Sequence, residues 1–419
     1  MPSCMARVDD SSAVDHAPGH AGSGLHRQPR VLIIRLGAFG DIIHTLPLAA
    51  DLAAAGWEVD WLCEDRWAVL LQGGPVINRV HAIDRRQLKL KDGVGSLLYS
   101  LGILVRKLRE RKYDAVIDAQ GLAKSALFAL ASGARQRSGH AISRARELSW
   151  LVSRRRASGA AVHVIDQQRA LGSTLGLRAR GGWRFPLPPW SAERAWSRAW
   201  LDGAVGVGVR PVVLNVGAGW PTKVWPETRQ AEFAGLCKNG GIPLVFSWGG
   251  TTEGEVAARI AAAAGHGVVA PPTTIPQLAG VIAQAAVLVS GDTGPLHLAL
   301  ALGTPALGLF GPVPAQRNGP RGRGYRTAQA PGAAWERRDV AKVDMGALAA
   351  ADMLDLALAA AAEGGRSLQR EDPREKSRNL PQGTTAASVT SANGIRPGYA
   401  ARPSGQDPGY AARPSGQDP

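Results

Sequence analysis

Val289-Ser-Gly-Asp-Thr-Gly-Pro-Leu-His-Leu298, followed by Ala306-Leu-Gly-Leu-Phe-Gly-Pro312, reads as an apolar strand, a tight acidic-glycine turn, a helix start and a second apolar strand. Asp292, Thr293 and Gly294 fall where the first strand ends. Pro295 suits the first turn of the helix, where a missing N–H costs nothing. Unpaired amides at such a helix start attract anions, and the helix dipole adds to the attraction. The turn is therefore a candidate diphosphate cradle at the carboxyl edge of a parallel sheet. Taken alone it is equally readable as a plain capped βα turn.

A matching half lies near the other end of the chain. Arg30-Val-Leu-Ile-Ile-Arg35 is a buried-type strand that runs into Leu36-Gly-Ala-Phe-Gly-Asp41 and then into an apolar helix carrying Ile42, Ile43, Leu46 and Leu48. Gly37 and Gly40 allow close backbone approach, and Asp41 lands at the helix N-terminus, where a carboxylate serves either as a cap or as a catalyst. The spacing is not the Gly-x-Gly-x-x-Gly dinucleotide fingerprint.

Between and beyond these halves, strands alternate with helices. Strands are expected at 30–35, 57–63, 79–83 and 113–118, with a helix near 163–175. Gly181–Pro189 is a linker by composition. A second alternation follows, with strands at 211–216, 242–247, 286–290 and 305–309. Its helices are expected at 226–237, 252–264, 275–284 and 295–302, and a final alanine-rich one at 346–362. Repeated βα units imply parallel sheets covered on both faces, here two in tandem with a cleft between their carboxyl edges. The boundaries expected are a disordered extension over 1–29, a first domain over 30–180, a linker over 181–190, a second domain over 191–365 and a disordered tail over 366–419. That tail ends in a tandem repeat of Pro-Gly-Tyr-Ala-Ala-Arg-Pro-Ser-Gly-Gln-Asp, at 397–407 and 408–418.

The net charge of +15 is unevenly placed. Residues 30–190 hold 25 Lys and Arg against 13 Asp and Glu, a net of +12; residues 191–365 hold 14 against 13, a net of +1. A basic first domain suits an acidic substrate, an anionic membrane surface or nucleic acid. Nucleic acid is the weakest match, because no nucleic-acid module or aromatic stacking strip accompanies the charge. Three widely spaced cysteines, Cys4, Cys63 and Cys237, make neither a disulfide framework nor a zinc site. No apolar run approaches the ~20 residues of a membrane span, and no signal-peptide pattern opens the chain, so a cytoplasmic location is expected.

Four motifs in order carry a resemblance: Arg35-Leu-Gly-Ala-Phe-Gly-Asp-Ile-Ile-His-Thr-Leu-Pro47, Val116-Ile-Asp-Ala-Gln-Gly-Leu-Ala-Lys-Ser125, Lys223-Val-Trp-Pro226 and Gly291-Asp-Thr-Gly-Pro-Leu-His297. Over roughly residues 30–362 the chain resembles glycosyltransferase family 9, the bacterial lipopolysaccharide heptosyltransferases, and its pattern is similar to that of heptosyltransferase I. The resemblance implies a GT-B fold, with two Rossmann-like domains facing across a cleft, acceptor bound by the first and nucleotide sugar by the second. It also implies inverting transfer of L-glycero-D-manno-heptose from ADP-heptose to Kdo of Kdo-lipid A, in lipopolysaccharide inner-core synthesis. Heptosyltransferase II, or a family member using another nucleotide sugar or acceptor, is the alternative. A nucleotide-sugar epimerase of similar architecture is a different class, and it would turn over without any acceptor.

By the resemblance, Asp41 is the base that takes the acceptor proton. Lys223 and the amides of Thr293 and Gly294 stabilise the departing diphosphate. Asp292 and His297 contact sugar or diphosphate, and Glu253 holds ribose hydroxyls, with Glu255 two residues on as its competitor. For the acceptor, Arg85, Arg86 and Lys89 follow a strand at its cleft end, and Gln120 and Lys124 lie in the Asp-Ala-Gln-Gly turn; a basic cluster suits carboxylate and phosphate. Each of these side chains is also readable as a cap or a solvated surface group. No cofactor and no metal are called for, since lysine and helix dipole neutralise the leaving group. Residues 96–112 read as an amphipathic helix packed on the sheet. With Leu148-Ser-Trp-Leu-Val-Ser-Arg-Arg-Arg156 they make peripheral attachment to an anionic inner leaflet the expected membrane partner. Two departures bear on the donor: Asn215-Val-Gly-Ala-Gly-Trp-Pro-Thr222 replaces a threonine-rich loop, and Gly291 and Pro295-Leu296 differ from the heptosyltransferase I residues.

Overall fold

The computed structural model describes residues 27–84, 93–142, 147, 149–179, 181–332 and 343–366. Residues 1–26 of the extension, the tail from 367 with its repeat, and the positions of Arg85, Arg86, Lys89 and Leu148 lie outside the described residues.

The first half runs β1 (Arg30–Ile34), α1 (Phe39–Ala54), β2 (Glu58–Glu64), β3 (Ile77–Ile83), α2 (Gly93–Glu110), β4 (Ala115–Asp118), α3 (Ala123–Ala131), β5 (Gln136–Gly139), β6 (Arg155–Arg156) and α4 (Val164–Ala170). The second half begins with α5 (Ser191–Val205), β7 (Val212–Asn215), α6 (Glu227–Asn239), β8 (Leu244–Ser247), α7 (Thr251–Ala264), β9 (Val268–Val269) and α8 (Ile275–Gln284). It ends with β10 (Val287–Gly291), α9 (Gly294–Leu302), β11 (Ala306–Phe310), α10 (Ala315–Asn318), β12 (Tyr325–Gln329) and α11 (Ala350–Glu363).

The strands form two six-stranded sheets, in the orders β3-β2-β1-β4-β5-β6 and β12-β11-β10-β7-β8-β9, and every pairing is parallel. Counted within its own half, each sheet has the doubly wound order 3-2-1-4-5-6. The chain reverses direction between β1 and β4 in one sheet and between β7 and β10 in the other, and ligands of such sheets bind at the carboxyl ends of those strands. The fold is α/β of GT-B type, two Rossmann-like sheets. Val31, Leu32, Ile33 and Ile34 of β1, like Val287, Leu288 and Val289 of β10, are fully buried, as strands covered by helices on both faces require. One apolar cluster continues from α1 into α9, taking in Ile42, Leu46, Leu296 and Leu298, so the two halves share a core around the site.

The four short strands β5, β6, β9 and β12 were not expected from sequence. Gln136-Arg-Ser-Gly139 and Arg155-Arg156 carry no apolar run, and their place in the sheet comes from pairing with β4 and with each other. The helix α5 also departs from the linker-then-strand expectation. Its Ser197 hydroxyl donates to the Gln277 carbonyl of α8, a contact between sequence-distant helices. In α2, Leu108 is buried and Leu101 and Leu104 pack on the same cluster, as the amphipathic reading expects. Among the described residues no helix is long and apolar enough to cross a membrane.

Candidate active site

A cavity of about 480 Å³ lies between the carboxyl ends of the two sheets, with the N-termini of α1 and α9 on its walls. Those helices meet closely. A side chain at Gly40 would place its Cβ 2.5 Å from the His297 ring, and one at Gly294 would reach the Phe39 ring at 2.1 Å. Glycine at both positions is what lets two helix starts, each bearing partial positive charge, open on one space.

On the first wall, Arg35 closes β1. Its Nη2 sits 2.5 Å from Asp41 Oδ2, and its Nη1 donates to the Ala119 carbonyl just after β4. One buried guanidinium thus spans the strands where the chain reverses. Asp41 is not itself the helix cap. It is the third residue of α1, and its Oδ2 reaches back to accept from the Ala38 N–H at 3.1 Å. Both contacts use Oδ2, and Oδ1 has no hydrogen-bond partner among the described residues. One turn on, His44 is buried with both ring nitrogens unpartnered, its ring 4.1 Å from that of His297. Burial, then the neighbouring His297, push its pKa well below the ordinary histidine value, so the ring is neutral.

On the opposing wall, Lys223 Nζ donates to Asp292 Oδ2 at 2.6 Å and to the Asp292 carbonyl at 3.1 Å. His297 Nε2 lies 3.3 Å from Asp292 Oδ1, and Asn318 Nδ2 donates to both carboxylate oxygens at 3.4 and 3.3 Å. Burial alone would raise the Asp292 carboxyl. The His297 ring and the Lys223 ammonium overrule it and hold the group well below the carboxylate range. Thr293 caps α9 with extended backbone, so the Thr293–Gly294 peptide opens the helix toward the cavity.

Asp41, Gln120, Lys223, Asp292, Thr293, Gly294 and His297 all line this one cavity, although they come from four separate stretches of sequence. Gln120 Oε1 accepts from the Leu36 N–H, which ties it to the β1 loop. Lys124 and Glu253 are not on the cavity wall. Lys124 Nζ is 4.0 Å from Glu64. Glu253, third residue of α7, accepts from the Gly249 N–H at 2.7 Å, and a Cβ at Gly217 would meet its carboxylate at 1.9 Å. Glu253 therefore faces the loop after β7, while Glu255 is exposed.

Sequence reasoning passed over Arg35, His44, Trp67, His140 and Arg317, which also line the cavity. A basic residue closing an apolar strand, and a histidine three positions after Asp41 on one helix face, were the available signals. His140 had none, because it follows the unexpected strand β5. Of the ten buried side-chain polar atoms without a partner among the described residues, six belong to Arg35, His44, Trp67, Gln168 and His297 on this wall. Such atoms are rare in folded proteins, and their concentration here marks a surface built for a polar ligand. Among the described residues no group of three or more His, Cys, Asp or Glu could hold a metal ion.

A family model described as glycosyltransferase family 9 (heptosyltransferase) matches residues 102–344. Lipopolysaccharide heptosyltransferase 1 of Pseudomonas aeruginosa is 34% identical over 303 residues, covering 70% of this chain and 82% of the relative. The protein of that name from Escherichia coli K12 is 30% identical over 307 residues, covering 72% and 94%. The structure of E. coli heptosyltransferase WaaC with ADP matches with a TM-score of 0.64 at 27% sequence identity, covering 78% of this chain and 98% of that one. The structure of E. coli ADP-heptose lps heptosyltransferase II matches with a TM-score of 0.63 at 19% identity, covering 80% and 99%, a likeness of fold alone.

Proposed function

The chain belongs to glycosyltransferase family 9, and from that premise we propose that it transfers L-glycero-D-manno-heptose from ADP-heptose to Kdo of Kdo-lipid A with inversion at the anomeric carbon. The observation that carries this reading is the facing of two charged pairs across one cavity: Arg35–Asp41 on the first wall and Lys223–Asp292, beside the opening of α9, on the second.

In this reading the second sheet, within residues 191–365, holds the donor, and the first, within 30–180, holds the acceptor. Asp41 Oδ1 takes the proton as the Kdo hydroxyl oxygen attacks C1 of the heptose. The bond from C1 to the diphosphate oxygen breaks, and its electron pair leaves on ADP. Charge growing there meets Lys223 and the amides of Thr293 and Gly294, which are in place before the reaction and need no reorganisation. Arg35 keeps its partner aligned, because Oδ2 is clamped while Oδ1 is left for the proton. Asp292 holds Lys223 and His297. Glu253 meets the ribose where the β8–α7 turn would bring it. Arg85, Arg86, Lys89, Gln120 and Lys124 belong to the acceptor side, where the net charge of +12 over 30–190 suits the carboxylates and phosphates of Kdo-lipid A.

The same charge supports peripheral attachment to the cytoplasmic face of an anionic inner membrane. Arg154, Arg155 and Arg156 are exposed beside Leu151, 63% of whose surface is open to solvent. Flotation with anionic vesicles at low salt, lost at molar salt, is the expected behaviour.

The test is ADP release from ADP-heptose with and without Kdo-lipid A. Acceptor-dependent release supports the reading, and release that ignores the acceptor overturns it. A second reading, another donor sugar or an acceptor already carrying heptose, is favoured by Gly291, Pro295-Leu296 and the loop Asn215–Thr222. It predicts release only when those substrates replace the first pair.

A further inference from the structure

The outward face of α3 is apolar where a surface helix is ordinarily polar. Ser125, Ala126, Phe128 and Ala129 are buried, which leaves Lys124, Leu127 and Leu130 on the opposite side of the helix. Leu127 is 64% and Leu130 51% exposed. The turn Ser149–Leu151 packs on the same helix and adds Leu151, likewise open to solvent. Single exposed leucines are ordinary on a protein surface, whereas three from two elements in contact make a patch. The concentration is local. Of the nine large apolar side chains exposed among the described residues, Leu127, Leu130, Ile142, Leu151 and Val162 all fall between Ala119 and Ile165.

The same stretch is almost without acid. Its described residues include Lys124, Arg135, Arg137, Arg154, Arg155 and Arg156 against a single carboxylate, Glu147, and all of these bases except Arg137 are exposed. Arg109 of α2 adds a guanidinium at the far end of the helix, where its Nε donates to the Ala131 carbonyl at 3.2 Å. Leucines with a basic rim fit a surface that is apolar within and anionic at its edge, which describes a bilayer bearing acidic headgroups. A second copy of the chain fits poorly, because a twofold contact would set basic rim against basic rim. A nucleic acid would meet the charge and leave the leucines without a partner.

The patch also adjoins the cavity in the chain. Gln120 and Leu122, on the cavity wall, directly precede α3, and Val164 brings the stretch back to that wall. We infer that the face of α3 carrying Leu127 and Leu130, with Leu151 beside it, is the membrane-docking surface, its leucines entering the headgroup boundary of an anionic leaflet. The stretch that lines the acceptor side thus also seats the chain on the bilayer, and an acceptor anchored in lipid reaches the cavity from there. This deepens the peripheral attachment proposed above and rests on it.

Flotation of the full chain with vesicles of phosphatidylethanolamine containing about 30% phosphatidylglycerol tests it. Leu127→Gln combined with Leu130→Gln replaces two side chains that are more than half exposed with good helix formers, and an unchanged melting temperature checks the fold. Partition onto the vesicles should fall about tenfold or more. Val207→Gln, at an apolar side chain 86% exposed in the second half, should float like the wild type. Arg135→Gln with Arg154→Gln should weaken binding about tenfold and leave the remainder less sensitive to salt. A leucine variant that floats like the wild type overturns the inference and leaves this face to a second copy or to another segment of the chain. A loss matched by Val207→Gln overturns it as well, since exposed apolar surface anywhere would then suffice. A wild type that does not float removes the peripheral attachment itself, so the wild-type arm tells the two failures apart.

Discussion

Lys223 Nζ lies 2.6 Å from Asp292 Oδ2, and the carboxylate it grips is almost wholly buried. Removing the lysine would strand that charge. Lys223→Ala should cost roughly 2–3 kcal/mol of stability, below the range for a fully buried pair because the lysine side chain is 20% exposed. It should also lower kcat by about 10²–10³, the usual loss when a preorganised donor to a developing anion goes. Adding Asp292→Ala to Lys223→Ala should restore much of the stability and none of the activity. Urea unfolding beside turnover separates the two effects; activity returning with stability would show that the lysine serves only the fold.

Asp41 has a different signature, since it stands on the wall opposite the diphosphate cradle. Asp41→Asn keeps an acceptor for the Ala38 N–H and removes the base. Turnover should fall about 10²–10⁴-fold with ADP affinity changed by less than about threefold. A matching loss of ADP affinity would place Asp41 in donor binding instead. Asp41→Glu should fall between the two, because an extra methylene moves the carboxylate off the geometry set by Arg35.

Much of this site was legible because its pieces are local. The turn Asp292–Pro295 and the turn Gly37–Asp41 each contain a strand end, a glycine and a helix start within a few residues, and periodicity places those elements. That there are two parallel sheets in tandem followed from the same alternation. What was not legible depended on pairing across the fold. Arg35 reads as the last residue of a strand until β4 brings Ala119 beside it, and its ion pair with Asp41 spans a turn whose course six letters do not specify. The Lys223–Asp292 ion pair joins residues 69 positions apart in the chain, and only the fold brings them together. The strand β5, which His140 follows, has too little apolar sequence to announce itself.

The two glycines between the helix starts make a sharp structural test. Gly294→Ala would drive a methyl into the Phe39 ring, which is stacked on Trp67 and has little freedom to yield. The expected cost is about 1–3 kcal/mol, the range for overpacking a filled site. Gly294→Ala combined with Phe39→Ala should recover more stability than the sum of the single changes predicts, since the clash and the clashing ring go together. Thermal unfolding of the four proteins in that cycle measures the coupling. Strict additivity would mean that α1 and α9 do not press on each other through these residues.

His163 ties α4 to the end of α10. Its Nδ1 accepts from the Ile165 N–H and its Nε2 donates to the Gly319 carbonyl at 3.0 Å, so the neutral ring uses both nitrogens and a second proton has no acceptor to face. Burial first, with the charge of Arg321 adding to it, outweighs the Gly319 bond and brings the pKa from 6.5 down to about 4. In that interval the unfolded chain binds the proton and the folded one does not. Stability is therefore present in full above pH 6.5 and is lost as pH falls toward about 4, by an amount on the order of 3 kcal/mol. His44, depressed by burial and by His297, acts in the same direction, while Asp118, raised by burial, acts in the opposite one. Asp60 and Asp292, held low by their partners, matter only below the ordinary carboxylate range. Comparison with His163→Asn isolates the single ring, because asparagine can still cap α4 through its side-chain oxygen and does not titrate. The variant should be less stable at pH 7.5, through loss of the Gly319 bond, and its stability should decline less between pH 6.5 and 4.5. Curves of unfolding free energy against pH that run parallel for the two proteins would show that His163 is not protonated on unfolding in this window.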